Sequence, residues 1–129
     1  SKLMIVYGDL VFNSETIKNI NFEESSVIVT SQEMGDEEVG CIIDQKNKLT
    51  NLMYDLPIKW GQISIFMGKE LSLLKELCWD KKNNSKFGFE IINQIIDKGG
   101  SFRCIQNKNI KIVDIDNSKD IQKAKEILL

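Results

Sequence analysis

Two acidic motifs, each preceded by an apolar run, carry the residue types in this sequence that could do chemistry. Residues 3–7 lead into Gly8 and Asp9, and residues 110–113 lead into an Asp-Ile-Asp motif at 114–116. Apolar runs of this length predict strands, and ligands of open α/β sheets bind beyond the carboxyl ends of strands. Carboxylates from two such ends could share one hard cation, and that cation could hold the phosphates of a nucleotide.

The spacing within each motif supports this hypothesis and also leaves a simpler reading open. Because side chains alternate along a strand, Asp114 and Asp116 share a face, and a divalent cation between them would relieve their repulsion. The alternative is that Asp116 only starts a turn and that Asp114 points to water. Gly8 would let a ligand approach the backbone beside Asp9. The alternative there is that Asp9 caps the turn after the strand.

Length, charge and composition set limits on the function. The 129 residues are enough for one domain with its own core, and we place no internal boundary within residues 1–129. The formal net charge is −2 and the only arginine is Arg103, so the sequence lacks the cation clusters of a dedicated nucleic-acid surface. Histidine is absent, which excludes Ser-His-Asp and Cys-His catalysis and leaves carboxylates, lysines and metal ions.

The cysteines and the hydropathy pattern indicate a protein of a reducing compartment. Cys41, Cys78 and Cys104 are far apart and odd in number, which is typical of free thiols. We expect Cys41 and Cys104 to pack as small apolar side chains. No apolar stretch approaches the roughly 20 residues that span a bilayer, and no secretory signal pattern is present. We therefore expect no membrane partner and a cytoplasmic location.

The periodicity of the apolar residues predicts an alternation of strands and helices. Residues 3–7 are typical of a strand buried on both faces, and residues 26–30 of a second, with a short helix at 14–20 between them. Such a unit predicts a parallel pair of strands with a right-handed crossover. Residues 40–44 and 49–54 predict a hairpin. The other expected elements are strands at 61–67, 102–105 and 110–113, helices at 69–78 and 89–98, and a closing helix after Asn117.

Three segments give the sequence a resemblance to a known family. Residues 4–12 resemble the central strand and metal-binding Gly-Asp of the sugar-phosphate and alcohol-phosphate nucleotidyltransferases. Residues 113–121, with Ala124, resemble the closing motif of that family, an acidic Asp-Ile-Asp followed by a capped helix. Residues 60–63 are similar to the segment that forms the floor of its acceptor pocket. The order and spacing of the expected strands match as well. The closest subgroup is the small cytidylyltransferase-like enzymes that activate phosphocholine, phosphonates or related alcohol phosphates.

The resemblance implies a fold and a set of roles. The fold class would be α/β, a partial Rossmann-like three-layer nucleotidyltransferase fold with a mixed, mostly parallel sheet and helices on both faces. Mg²⁺ would be the cofactor, and the partners would be a nucleoside triphosphate, with CTP favoured, and a phosphorylated small molecule. The implied site residues are Asp9 and Asp116 as catalytic metal ligands, Asp114 as a further ligand or orienting group, Gly8 as a cofactor-binding residue, and Trp60, Gly61 and Gln62 in the acceptor pocket. Glu90 could also bind an amine or hydroxyl of the acceptor there, and the alternative is a surface acid that the helix dipole favours near the start of a helix.

One departure from the family pattern limits what this chain is expected to do. The family has a Gly-rich loop after a first strand, followed by Arg and Lys, which cradles the triphosphate and reads the base, and the sequence contains no such loop. We therefore expect the chain to correspond to the C-terminal part of such a domain and to be inactive alone. Trp60 and Tyr54 could also face a cationic head group, and Lys59 and Lys86 could contact phosphate. Core aromatics and solvated surface lysines are the commoner outcomes for such residues.

Two other functions remain open on the sequence alone. Residues 110–118 imitate the strand and Asp-x-Asp-x-Ser motif of haloacid-dehalogenase-like phosphatases, but those enzymes need acidic and lysine motifs downstream, and only 11 residues follow Ser118. The second alternative is a non-catalytic α/β interaction or regulatory module whose acidic motifs are structural. Because a partial sheet has a bare strand edge, we also expect self-association through that edge.

Overall fold

The computed structural model describes residues 1–35 and 37–128 as a six-stranded sheet with helices and a separate two-stranded ribbon. The strands are β1 (Lys2–Val6), β2 (Leu10–Phe12), β3 (Ser26–Thr30), β4 (Val39–Ile43), β5 (Leu49–Tyr54), β6 (Ile58–Met67), β7 (Arg103–Gln106) and β8 (Ile112–Asp114). The helices are α1 (Glu15–Lys18), α2 (Gly68–Trp79), α3 (Gly88–Asp97) and α4 (Ser118–Leu128), with a 3₁₀ turn at Lys81–Asn83. β2 and β8 form the ribbon, and the other strands form the sheet.

The long strand β6 organises the sheet. β3 pairs with one edge of β6, while β4 and β1 share its other edge, β4 near its start and β1 near its end. β5 lies beyond β4 and β7 lies beyond β3. The expectation of a mostly parallel sheet is wrong, because every strand pair in the described part of the chain is antiparallel except β3 with β7. The reason lies in the connections. A tight turn joins β4 to β5, and residues 55–57 cross β4 at Gly40 before β6 begins, so neither connection contains a helix.

β1 lies at the edge of the sheet. Its apolar sequence predicts a strand that is buried on both faces, and this prediction is wrong. β1 pairs only with β6 among the described strands, and Leu3, Met4 and Ile5 are 42%, 39% and 36% exposed. β1 and β3 run in the same direction but lie on opposite edges of β6, so they are not the adjacent parallel pair that was expected. An apolar run does not specify how many neighbours a strand has, which explains the difference. Self-association through this open edge stays a prediction.

Apolar side chains cover both faces of the sheet. On one face, Phe66 and Phe102 pack edge to face with 5.5 Å between their ring centroids, in the same cluster as the apolar residues of α2 and α3. On the other face, Ile28 of β3 and two isoleucines of β6 pack with Ile110 and with Ile112 of the ribbon strand β8. None of the helices in the described residues is long and apolar enough to cross a membrane.

The three cysteines are free thiols, as the sequence predicts. Cys41 and Cys104 are buried in the core, and burial raises the pKa of each thiol to about 12. Cys78 is exposed on α2. At neutral pH the two buried thiols therefore stay protonated and behave as small apolar side chains.

The ribbon of β2 and β8 joins two parts of the chain that lie at opposite ends of the sequence. The strands pair with Leu10 opposite Asp114 and with Phe12 opposite Ile112. Next to the ribbon, the amide of Ile115 donates a hydrogen bond of 2.8 Å to the carbonyl oxygen of Asp9. The two acidic motifs are therefore brought together by the ribbon and not by neighbouring strands of one parallel sheet.

Candidate metal and substrate site

The two acidic motifs line one open cleft with a volume of about 520 Å³. The cleft lies where β1 leads into β2 and where β8 leads into α4. Its lining residues, most of them acidic or aromatic, are Tyr7, Asp9, Glu37, Glu38, Val39, Tyr54, Trp60, Gln62, Phe87, Phe89, Asp114 and Asp116. A cleft with this lining can bind a cation and an organic group beside it.

The three aspartates reach the cleft from different turns and strand ends. Asp9 lies in the turn between β1 and β2, Asp114 ends β8, and Asp116 lies in the turn before α4. The carboxylate of Asp120, in the first turn of α4, accepts hydrogen bonds of 2.9 Å and 3.1 Å from the amides of Asp116 and Asn117. This capping arrangement holds the backbone of Asp116 in place while its own carboxylate is exposed to solvent.

The carboxylates of the cleft repel one another. The negative charge of Asp114 raises the pKa of the Asp116 carboxyl above its ordinary value, with smaller contributions from desolvation and then from the charge of Asp9. In residues 1–35 and 37–128, no three Asp, Glu, Cys or His side chains converge closely enough to hold one metal ion. Several carboxylates therefore line the cleft, but no three of the described ones lie close enough together to coordinate one metal ion.

The raised pKa of Asp116 gives a prediction about its titration. We expect the carboxyl carbon signal of Asp116 in NMR to titrate with a midpoint above the ordinary value of about 3.9. Asp114→Asn should lower this midpoint, because it removes the main repelling charge. Since folding raises the pKa, the folded protein holds this proton more tightly than the unfolded chain does. The contribution of Asp116 to stability therefore falls as pH rises from the ordinary pKa through the raised one.

Asp97→Asn is the control for this titration, because Asp97 is an exposed acid at the end of α3 that does not line the cleft. It should leave the midpoint of Asp116 where it is. A midpoint that falls equally in the two variants would contradict the assignment of the shift to Asp114.

Lys59 is not one of the solvated surface lysines that the sequence leads us to expect. It lies on β6 with 5% of its surface exposed. Its ammonium nitrogen is 3.0 Å from Glu38 Oε1 and 3.5 Å from Asp114 Oδ1. Lys86, the other lysine considered for phosphate contact, is exposed and lines a neighbouring groove. Lys59 thus places one buried positive charge against the acids of the cleft.

The two glycines of the expected site have different environments. A Cβ at Gly61 would lie 2.8 Å from Ile112 Cδ1 and 3.0 Å from the carbonyl oxygen of Ile28, so close packing against the ribbon requires a glycine there. A Cβ at Gly8 would meet no atom within 4 Å, and Gly8 lacks the positive φ that favours glycine. The fold therefore gives no reason for a glycine at position 8, and its role in ligand approach stays a prediction.

The residues expected in the acceptor pocket divide into two groups. Trp60 and Gln62 line the cleft, whereas Gly61 and Glu90 do not. Glu90 lies in the first turn of α3, where its carboxylate accepts a hydrogen bond of 3.2 Å from the amide of Phe87. It also lines the neighbouring groove. Such a capping contact is typical of Glu at this position of a helix.

Tyr7, Phe87 and Phe89, which the sequence did not indicate as site residues, line the cleft together with Trp60 and Tyr54. Tyr7 packs edge to face against Trp60 with 5.7 Å between centroids, and Tyr54 does so against Phe89 at 5.3 Å. Phe87 stacks on Phe89 at 6.1 Å. These two groups of packed rings, which together we call the aromatic wall, form the apolar part of the cleft.

Comparison with known proteins gives matches to solved structures only. No protein-family model matches the sequence, and no curated protein matches it. The inositol-1-phosphate CTP transferase from T. maritima superposes with a TM-score of 0.69 at 12% identity, over 98% of this chain and 54% of that one. The CTP:phosphocholine cytidylyltransferase from Streptococcus pneumoniae gives 0.71 at 13%, over 96% and 56%. The nucleoside-diphosphate-sugar pyrophosphorylase from Vibrio cholerae RC9 gives 0.58 at 14%, over 95% and 55%.

This chain has a nucleotidyltransferase fold. It spans about half the length of the solved structures that it matches. The resemblance carried by residues 4–12, 60–63 and 113–121 is thus confirmed at the level of the fold, including its α/β class. Within this nucleotidyltransferase fold, the Asp-Ile-Asp motif lies beside Gly8 and Asp9 and leads into the last helix.

Proposed function

We propose that this chain is the metal-binding and acceptor-binding part of an Mg²⁺-dependent nucleotidyltransferase. The reaction would join a nucleoside triphosphate to a sugar phosphate or alcohol phosphate and release pyrophosphate. The observation that carries the proposal is the meeting of Asp9, Asp114 and Asp116 in one cleft of a chain with a nucleotidyltransferase fold.

The donor atoms and the charge of the cleft fit Mg²⁺. Carboxylate oxygens are ligands that Mg²⁺ prefers, and it is commonly held by one or two carboxylates together with substrate phosphates. We assign Asp9 and Asp116 as ligands and Asp114 as a further ligand or an orienting group. The raised pKa of Asp116 reports the uncompensated negative charge that a cation would neutralise. When bound, the metal supplies positive charge to the phosphates of the nucleotide.

The proposed reaction needs positioning and charge and no nucleophile from the protein. An oxygen of the acceptor phosphate attacks the α-phosphorus of the nucleoside triphosphate in line, the bond from that phosphorus to the bridging oxygen breaks, and pyrophosphate leaves with that oxygen. The part of this chain is to hold the cation with its carboxylates and to orient the acceptor in the cleft. Such chemistry requires no histidine, which agrees with a sequence that has none.

The aromatic wall and the nearby acids suit an acceptor with a cationic head group. Tyr54 and Trp60 line the cleft together with Glu37 and Glu38, and aromatic rings with carboxylates attract an ammonium group. One solved structure with this fold is a CTP:phosphocholine cytidylyltransferase. We therefore favour CTP and a phosphorylated amino alcohol, such as phosphocholine, as the substrates.

Titration with Mn²⁺, a spectroscopically useful substitute for Mg²⁺, tests the proposed metal site. By calorimetry we expect the wild-type chain to bind Mn²⁺, and the Asp9→Asn/Asp116→Asn double variant to lose at least the roughly 10–100-fold in affinity that removing a supporting group costs. Asp97→Asn removes one carboxylate charge outside the cleft and should bind like the wild type. A wild-type chain that binds no Mn²⁺, with or without CTP, would remove the proposal.

That outcome would favour the non-catalytic module, which is the second candidate function. The observation in its favour is that no three ligating side chains converge among the described residues. The sequence also lacks the Gly-rich loop of the family, so we expect no turnover from this chain alone with Mg²⁺, nucleoside triphosphates and a panel of acceptors. Product formation that Asp9→Ala abolishes would overturn the expected inactivity and support the reaction.

A further inference from the structure

Lys59 is the buried positive charge that the proposed metal site leaves unexplained. Charged lysines are rarely buried this completely unless they are paired, and Lys59 has two carboxylate partners. The strand β6 carries it between the β3–β4 loop, which contributes Glu38, and the ribbon, which contributes Asp114. One ammonium group therefore links two acids that line the same cleft.

The two ion pairs of Lys59 are unequal. Its nitrogen lies 3.0 Å from Glu38 Oε1, which is an ordinary distance for a charged hydrogen bond, and 3.5 Å from Asp114 Oδ1, which is at the outer limit. The other oxygen of Glu38 accepts a hydrogen bond of 2.6 Å from the amide of Gly35, so the loop holds Glu38 in place. Lys59 can therefore release Asp114 and still keep its charge paired with Glu38.

We propose that Lys59 is a resident counter-cation, a positioning residue that holds Asp114 while the cleft is free of metal and gives it up when a divalent cation binds. This inference rests on the proposed metal site. It adds that Lys59 regulates the site by competing with the metal for Asp114. Two cations that face one carboxylate repel each other, so the contact between Lys59 and Asp114 opposes binding of the metal. The same contact draws Asp114 toward β6, which fits the finding that no three ligands converge among the described residues.

The first test replaces Lys59 and measures the affinity for Mn²⁺ by calorimetry. Lys59→Met keeps most of the length of the side chain without its charge. We expect this variant to bind Mn²⁺ about tenfold more tightly than the wild type, because the competing charge is gone. Lys59→Arg keeps the charge and should bind like the wild type or more weakly. A side chain that merely supported the fold would give weaker binding in both variants, so that result would overturn the proposal.

A second pair of variants leaves Lys59 unchanged and covers the case in which Lys59→Met does not fold. Glu38→Gln removes the charge that anchors Lys59. Of the two carboxylates that pair with Lys59, only Asp114 then keeps its charge. Glu37→Gln removes the same charge from the neighbouring residue, which also lines the cleft. We expect Glu38→Gln to weaken Mn²⁺ binding about tenfold more than Glu37→Gln does. Equal losses in the two variants would overturn the proposal.

The outcomes also separate this inference from the proposed function. Mn²⁺ binding that is lost in the Asp9→Asn/Asp116→Asn variant but does not change in Lys59→Met would leave the metal site standing and remove the role of Lys59. Binding by neither the wild type nor Lys59→Met would remove both. Wild-type binding that is lost in the Asp9→Asn/Asp116→Asn variant and becomes about tenfold tighter in Lys59→Met would support both.

Discussion

Phe102→Ala is expected to lower the free energy of unfolding by about 3–5 kcal/mol, the cost of truncating a fully buried aromatic side chain. Phe102 has no exposed surface and packs edge to face against Phe66. Its carbonyl oxygen accepts a hydrogen bond of 2.9 Å from the amide of Leu49, so the backbone beside the ring is fixed by β5. The surroundings therefore have little freedom to collapse into the space left by the ring. Urea denaturation followed by circular dichroism measures the change.

Phe87→Ala is the matched control for this prediction, since it makes the same truncation at a side chain that is 61% exposed. Its effect on the free energy of unfolding should stay within about 0.5 kcal/mol, as for most surface substitutions. Comparable losses in the two variants would mean that the cluster around Phe66 and Phe102 does not hold the sheet against helices α2 and α3.

Gly40→Ala is expected to destabilise the fold by about 3 kcal/mol, the upper end of the usual range for overpacking. Residues 55–57 cross β4 at this position, and a Cβ on Gly40 would overlap the carbonyl oxygen of Leu56 and lie 2.7 Å from its carbonyl carbon. Both atoms belong to the backbone, so no side chain can rotate away. The crossing segment would have to lift off β4, and the entry of the chain into β6 would move with it.

Gly8→Ala is the control for the substitution at position 40. The structure leaves space for a Cβ there, so thermal unfolding of Gly8→Ala should match the wild type, while that of Gly40→Ala shifts to clearly lower temperature. A wild-type melting curve for Gly40→Ala would show that the crossing over β4 is looser than described. If Gly8→Ala keeps its stability but binds Mn²⁺ with CTP more weakly, the glycine serves the ligand and not the fold.

Elements with strong local signals were predictable from the sequence. The hairpin of β4 and β5 follows from two apolar runs around a polar turn, and its turn has the predicted place at residues 45–48. The end of α3 follows from Gly99, which has a φ of +94° that other residues avoid. These features depend on a few neighbouring residues, so the sequence carries all the information that decides them.

Features that depend on distant partners were not predictable in the same way. The apolar composition of β1 indicates a strand but not that β6 is its only described neighbour, which is why its expected burial is wrong. The direction of β6 relative to β4 depends on the crossing at Gly40, a contact between segments that no periodicity reveals. Ile121 is an apolar residue of α4, yet it is half exposed, because the periodicity of a helix does not say how much of its apolar face is covered.

In the candidate site, too, some residues were predictable from the local sequence and others were not. The two acidic motifs were recognisable from residue type and position alone, and they do line one cleft. Glu37 and Glu38 could have been suspected only from the acidic run at residues 33–38. The two ion pairs of Lys59 could not be inferred, because a lysine inside an apolar strand has no sequence signal for the two carboxylates that meet it. Its partners come from a loop and a ribbon that only the folded chain brings to β6.

The ribbon of β2 and β8 has a consequence for the order of events during synthesis. Asp9 is synthesised well before the ribbon strand β8, which begins at Ile112. While the residues between them are synthesised, the nascent chain carries one half of its acidic cleft and cannot assemble the other. Any affinity for cations that depends on both halves therefore arises abruptly and late, once residue 116 has emerged.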